Sequence, residues 1–278
     1  MMGCKIYYFS GSGNSLHVGR ELQKRLAGTM LVPMIGLMDQ ASIVPEVELV
    51  GFVFPQHASQ MPVIVAEFLS KMDLRNAGYV FAIVTRGGTP SHVFPELKNI
   101  LRKSDKKLDA GFVVTMPGSS ESLMQNYSDK INEQRINRLE SEMLDRLETI
   151  QKIINNREPH GDEDLRGKEM PALYALFEPI FLNMGRRAER AFEFYSDSKC
   201  TGCRICEKVC LGNKIRMVNE KPDWQEAVSC VGCFACLNYC PEQSIQVKST
   251  WFLKSYTPQN GRYHHAQITA GDIAAQKR

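Results

Sequence analysis

The sequence predicts an α/β chain in two parts, a doubly wound domain around a parallel five-stranded sheet followed by a small α+β module. Three features predict it. Short β-rich runs alternate with amphipathic stretches through the first half, a glycine- and serine-rich turn follows the first run, and eight of the nine cysteines lie between Cys200 and Cys240.

The β-rich runs are Lys5 to Phe9, Met30 to Ile35, Leu49 to Phe54, Tyr79 to Thr85 and Gly111 to Met116. Between them, Ser15 to Leu26, Pro62 to Met72 and Phe94 to Lys103 carry apolar residues at helical spacing. Strands that alternate with helices are joined by crossovers, and crossovers make a parallel sheet. A long last helix follows, because Ile136, Leu139, Met143, Leu147, Ile150 and Ile154 recur along one face at three- and four-residue steps, a sheet-packing stripe. Residues 1–156 therefore read as one domain. Asn155 to Lys168 is polar, with Pro159 and two glycines, and Ala172 to Phe194 has helical character, so residues 157–192 read as a helical linker. Residues 193–250 form the cysteine module. The tail, 251–278, holds few large apolar residues and reads as draped on the surface or mobile, with no metal role for His264 and His265.

A chain of 278 residues has room for two modest domains. Its net charge of +3 comes from 34 basic and 31 acidic residues with no dense basic run, so nucleic acid is not an expected partner. The opening MMGCKIYYFSGSGNS lacks the hydrophobic core of a signal peptide, which points to the cytoplasm. Met170 to Met184 is the most apolar stretch, yet it falls short of the roughly 20 residues of a spanning helix and is interrupted by Glu178 and Pro179. No transmembrane segment is expected.

The cysteines form two runs, CTGCRICEKVC from Cys200 and CVGCFACLNYCP from Cys230, each spaced C-x-x-C-x-x-C-x-x-x-C. Three thiolates at three-residue steps wrap one corner of a cubane, and the fourth crosses to the other cluster. Cys200, Cys203, Cys206 and Cys240 would hold one [4Fe-4S] cluster, and Cys230, Cys233, Cys236 and Cys210 the second. Every cysteine recurs 30 positions later, Gly202 matches Gly232, and Ile215 matches Ile245, which makes the module an internal repeat. Zinc is the alternative, but its structural sites pair C-x-x-C with a distant second pair rather than repeating a triplet plus one. Leu211 stands where the second run has Pro241, a change that alters the backbone near Cys210 without removing its thiolate.

Directly after the first β-rich run come Ser10, Gly11, Ser12, Gly13, Asn14 and Ser15, and then a helix. Small residues at this place let amides and hydroxyls converge on one phosphate at a helix N-terminus. The loop has no Lys or Arg, and donors of this kind hold a phosphate monoester without a cation. FMN ends in such a monoester. A triphosphate loop would need Gly-Lys-Ser or Gly-Lys-Thr, and a dinucleotide fingerprint a third glycine where Leu16 stands, so ATP and NAD come second. An ordinary strand-to-helix turn is the plain alternative. Four donor-bearing side chains in six residues favour FMN.

In a doubly wound sheet the ligand lies at the carboxyl ends of the strands near the switch in strand order, so Pro55 to Met61 and Arg86 to Ser91 should flank the flavin ring. Pro55, His57 and Thr85 are candidates there, with Gly87 and Gly88 offering amides to the pyrimidine edge. A loop histidine such as His57 is as often merely solvated. Arg86 near the ring's N1 would stabilise reduced, anionic flavin and raise its potential; an exposed charge is the plain reading.

FSGSGNS at Phe9 to Ser15, the two cysteine runs and the intervening KPDW at Lys221 to Trp224 together resemble fused flavodoxin–ferredoxin iron–sulfur flavoproteins of anaerobic bacteria and archaea. The resemblance covers nearly the whole chain except the tail. It implies a flavodoxin-like fold with strand order 2-1-3-4-5, non-covalent FMN and two [4Fe-4S] clusters, and it names no partner. The loop PQHASQMP departs from the pattern, since such proteins often place an aromatic residue there.

Flavin exchanges two electrons or one, and each cluster exchanges one, so the expected function is a redox relay between partner proteins. A flavin-dependent reductase of a small molecule, fed by the ferredoxin module, is the alternative, and an iron–sulfur assembly or sensing protein a third. Clusters close to the flavin could also come from a neighbouring subunit, which keeps a homodimer open.

Overall fold

In the computed structural model, described for residues 3–87, 92–118, 132–163, 192–248 and 262–278, the five β-rich runs form strands. They are β1 (Cys4–Tyr8), β2 (Thr29–Pro33), β3 (Leu49–Pro55), β4 (Tyr79–Arg86) and β5 (Ala110–Thr115). A further strand, β6 (His160–Asp162), joins them, and the six pair in parallel in the order β2-β1-β3-β4-β5-β6. This is the flavodoxin-like order with one edge strand added. β3 and β4 are buried along almost their whole length, as strands covered on both faces must be, which explains their unbroken VGFVF and YVFAIVT runs.

The crossovers contain α1 (Asn14–Arg25), α2 (Val63–Leu69), α3 (Val93–Lys103) and α4 (Glu133–Asn155). α1 and α4 pack side by side against the sheet, α2 and α3 pack against each other, and Phe68 of α2 meets Tyr7 of β1 at 5.4 Å between ring centres. The apolar stripe of α4 buries Leu139, Met143, Leu147, Ile150 and Ile154, each contributing roughly 1.5–3 kcal/mol of transfer free energy. Asn132 caps that helix by accepting from the Arg135 amide at 2.8 Å.

Two expectations need correction. β6 lies inside the polar stretch read as linker. Three residues, HGD, are too short and polar to show a strand period, and the edge is held by partners instead: Lys98 meets Asp162 at 2.7 Å, the Tyr79 hydroxyl donates to the Glu158 carbonyl at 2.7 Å, and Phe112 stacks on His160 at 5.0 Å. Phe194, read as the end of a helical stretch, opens a strand instead. Residues 172–191 of that stretch lie outside the described residues, as does the larger part of the polar linker after 163.

The cysteine module pairs β7 (Phe194–Ser196) with β10 (Ile245–Val247) and β8 (Ile215–Val218) with β9 (Lys221–Trp224), both antiparallel. Short helices α5 (Ile205–Val209) and α6 (Ala235–Asn238) follow the second cysteine of each run. The 30-residue repeat persists in the backbone: Gly202 and Gly232, Arg204 and Phe234, and Asn213 and Gln243 are all left-handed, with φ between 48° and 72°. The sulfurs of Cys210 and Cys240 likewise accept amides four residues on, from Lys214 at 3.2 Å and Ser244 at 3.3 Å.

The tail is the largest departure. Its described part, 262–278, is folded rather than mobile, ends in α7 (Ala270–Ala275), and buries Tyr263, His265, Ile268, Ile273 and Gln276. Val209, Leu211, Cys233, Ala235, Tyr239, Ile268 and Ile273 all share one continuous core with the large sheet, while a smaller core lies around Phe194, Phe234 and Leu237. Among the described residues no helix is long and apolar enough to cross a membrane.

Candidate cofactor cleft and cysteine cavities

The chain leaves β1 for β2 on one side and later returns to β3 on the other, so the switch in strand order falls beside β1. A cleft opens there. It is lined by Ser10, Gly11, Ser12, Asn14, Ser15, Pro55, Gln56, His57, Thr85, Arg86, Gly87, Pro117, Gly118 and Cys233. Of the candidates read from sequence, all line it except two. Gly13 sits at the N-cap of α1, in the left-handed region at φ 96°, and Gly88 lies outside the described residues. Gln56 belongs to the Pro55 to Met61 loop that was expected here, whereas sequence reasoning missed Pro117, Gly118 and Cys233. Pro117 and Gly118 follow β5 and obey the same strand-end rule as the loops that were found. Nothing in the sequence places Cys233 there.

Not every polar group counted in the loop is available to a ligand. The Ser15 and Thr85 hydroxyls pair at 2.8 Å. Asn14 is committed at both ends of its amide, donating to the Pro117 carbonyl at 2.7 Å and accepting from the Tyr263 hydroxyl at 2.8 Å. The Ser10 amide donates to Gln276 at 3.0 Å. The hydroxyls of Ser10 and Ser12 and the amides from Gly11 to Ser15 remain as the loop's donor set, at the start of a twelve-residue helix. Such a set suits a phosphate monoester. His57 is fixed at the cleft wall by a tight turn in which it and Gln60 exchange backbone hydrogen bonds at 2.9 and 2.8 Å, and its ring meets Phe9 edge-on at 6.0 Å.

Two cavities in the second module are each lined by four cysteines. One has Cys200, Cys203, Cys206 and Cys240 in its wall; the other has Cys210, Cys230, Cys233 and Cys236. The fourth cysteine of each run has therefore crossed to the other run's triplet. Among the described residues no trio of cysteine sulfurs closes to the spacing of a single ion. Four sulfurs on one zinc would stand about 3.8 Å apart, given Zn–S bonds of about 2.3 Å. Burial pushes the Cys206 and Cys233 thiols up to about 12, so thiolates in these cavities need a bound metal's positive charge to be stable.

The cleft and the second cavity share Cys233. A side chain at Gly11 would have no room, because its Cβ would lie 2.1 Å from the Cys233 carbonyl oxygen. The cysteine module thus sits directly on the Ser10–Ser15 loop.

Close by, His17 and His265 bind the two oxygens of one carboxylate, Glu140, at 2.7 and 3.2 Å. Their rings stack at 3.8 Å and 20°. These are the described side chains nearest to single-ion spacing, with ligand atoms within 4.8 Å of one another. Parallel rings, however, give parallel lone pairs, which cannot converge on one ion, and Nδ1 of His265 accepts the Gln267 amide at 3.3 Å, which leaves its Nε2 as a donor to Glu140. The trio is a shared hydrogen-bond anchor. Burial alone would raise the Glu140 carboxyl, but hydrogen bonds from both histidines, and their positive charge once they are protonated, hold it at about 2.

No family model and no curated protein matches this chain. Solved structures that match include the rubredoxin:oxygen oxidoreductase of the anaerobe Desulfovibrio gigas, at 15% identity and TM-score 0.32 over 55% of this chain; the match spans 37% of that protein's length. A flavodoxin from the domain Archaea matches at 10% identity and TM-score 0.33, covering 54% of this chain and 99% of that one. An FMN-dependent NADH-azoreductase from Bacillus anthracis str. Ames Ancestor, in complex with FMN, matches at 9% identity and TM-score 0.35, with 54% and 100% covered. The functional reading rests on the chain's own residues.

Proposed function

We propose that this chain is an iron–sulfur flavoprotein that relays electrons between FMN, bound by residues 1–156, and two [4Fe-4S] clusters, bound by residues 193–250, exchanging them with redox partner proteins. One observation carries the reading: Cys233 belongs both to the wall of the cleft and to a four-cysteine cavity. The two cofactor positions are neighbours within one chain, so no second subunit is needed to bring them together.

FMN supplies the exchange between two-electron and one-electron steps, and the cubanes carry electrons singly. The chain's residues do the rest. The amides and hydroxyls from Ser10 to Ser15 would hold the phosphate. Pro55, His57, Thr85, Arg86 and Gly87 would bound the ring, with Arg86 favouring negative charge on it. The cysteine quartets hold the clusters, and the Lys214 and Ser244 amides that donate to Cys210 and Cys240 stabilise charge on their sulfurs.

Purification without oxygen, followed by absorption and EPR spectroscopy and by iron, sulfide and flavin analysis, tests this. Roughly eight iron atoms and eight sulfides per FMN are expected. Reduction with dithionite should bleach the flavin and give the signals of interacting reduced cubanes. Folded protein that contains zinc, or that takes up iron but no flavin, refutes the reading.

A further inference from the structure

The C-terminal segment reaches the phosphate loop from about 250 positions away and makes four specific contacts with it. The Gln276 side chain, fully buried, brackets Ser10, accepting from its amide at 3.0 Å and donating to its carbonyl at 2.8 Å. The Tyr263 hydroxyl donates to Asn14 at 2.8 Å and so fixes the amide that ties the loop to Pro117. The His265 amide donates to the Ser12 carbonyl at 2.8 Å. Ile268 packs where a Cβ on Gly13 would be, 2.8 Å away.

The segment is itself anchored on both modules. Asp272 pairs with Arg20 of α1 at 2.5 Å, and His265 shares Glu140 with His17. The Tyr239 hydroxyl donates to the Ile268 carbonyl at 3.2 Å, and Lys277 reaches the Glu207 carbonyl at 3.4 Å. A tail that served only to cover apolar surface would not place a buried glutamine in two-way register with one backbone unit. A bidentate amide of this kind fixes orientation, and orientation is what an array of backbone donors needs to converge on an anion.

We propose that residues 262–278 are a positioning strap for the phosphate loop, with Gln276 and Tyr263 holding it in the turn that binds the phosphate end of the flavin. The inference rests on the FMN reading above, and its test separates the two. Chain with both clusters intact and flavin removed is titrated with FMN and with riboflavin, which lacks the phosphate, and quenching of flavin fluorescence is followed. Gln276→Ala is expected to weaken FMN about tenfold and leave riboflavin unchanged, and Tyr263→Phe to act in the same direction by a smaller factor. In the ³¹P spectrum the bound-phosphate resonance should move in both variants.

Equal loss of FMN and riboflavin affinity would overturn the strap's role and make the segment a general stabiliser. Unchanged FMN affinity in a variant that retains its cluster absorbance would overturn it as well. If Gln276→Ala loses its clusters, Tyr263→Phe decides, since it removes a single hydroxyl. Unmodified chain that binds riboflavin as tightly as FMN shows that the loop holds no phosphate, which sinks the strap but leaves a flavin site. Unmodified chain that binds neither sinks the FMN reading itself.

Discussion

Alanine at Gly11 places a methyl carbon 2.1 Å from the Cys233 carbonyl oxygen, 2.8 Å from its Cβ and 2.9 Å from its carbonyl carbon, whereas real Cβ contacts are not shorter than 3.0 Å. All three atoms belong to, or are fixed by, the backbone, so no rotamer change relieves the clash. The cysteine module must retreat from the phosphate loop by about 1 Å. Overpacking of this kind costs about 1–3 kcal/mol, and a rigid neighbour puts Gly11→Ala in the upper half of that range. For a chain of this size that is a melting temperature about 4–10 °C lower. Thermal unfolding under anaerobic conditions, followed by circular dichroism, measures it. Contact between the modules also predicts slower equilibration of electrons between flavin and clusters in Gly11→Ala, read by stopped-flow absorption. A variant that melts with the unmodified chain and equilibrates at the same rate would show that Cys233 does not abut this loop in solution.

Further outcomes follow from the same geometry. Cys210→Ser should perturb the cluster built on Cys230, Cys233 and Cys236 although Cys210 lies in the other run, and EPR of the reduced protein would show loss at that cluster with the partner's signal kept. Because Glu140 is held at about 2, below its ordinary 4.5, its stabilising effect is complete above about pH 4.5 and is lost as pH falls toward 2. Glu140→Gln should therefore have a lower urea midpoint than the unmodified chain at pH 7, with the gap closing between pH 4.5 and 2; a gap that widened with acid would reverse the sign. Thr85→Val leaves the buried Ser15 hydroxyl without its 2.8 Å partner and should cost about 1–3 kcal/mol, with a double-mutant cycle against Ser15→Ala showing coupling of about 1 kcal/mol. Arg86→Ala should lower the flavin midpoint potential in a spectroelectrochemical titration, and an unchanged potential would remove Arg86 from the ring's surroundings.

The chemistry at each end of the chain was legible in its sequence because it is local. The repeated C-x-x-C-x-x-C-x-x-x-C spacing of Cys200 to Cys240 is a local pattern that groups the thiols in quartets before any fold is known. A glycine- and serine-rich turn between a strand and a helix is visible within six residues, and strands buried on both faces announce themselves as apolar runs. The quartets in the two cavities follow the ligand exchange expected from the repeat.

Tertiary structure decided what depends on contacts between distant residues. β6 is a strand because β5 offers it an edge and because Lys98 and Tyr79 hold it, not because HGD favours extension. The tail read as draped or mobile because much of what fixes it is polar: beside Ile268 and Ile273, which join the main core, Gln276, Tyr263 and His265 make long-range hydrogen bonds, and a polar residue reveals its partner only when the fold supplies one. The meeting of Cys233 with Gly11, across more than 200 positions, is likewise invisible to any periodicity. Local spacing thus marks out the six-residue loop and the two cysteine quartets, and long-range packing determines that the cleft and the second cysteine cavity adjoin.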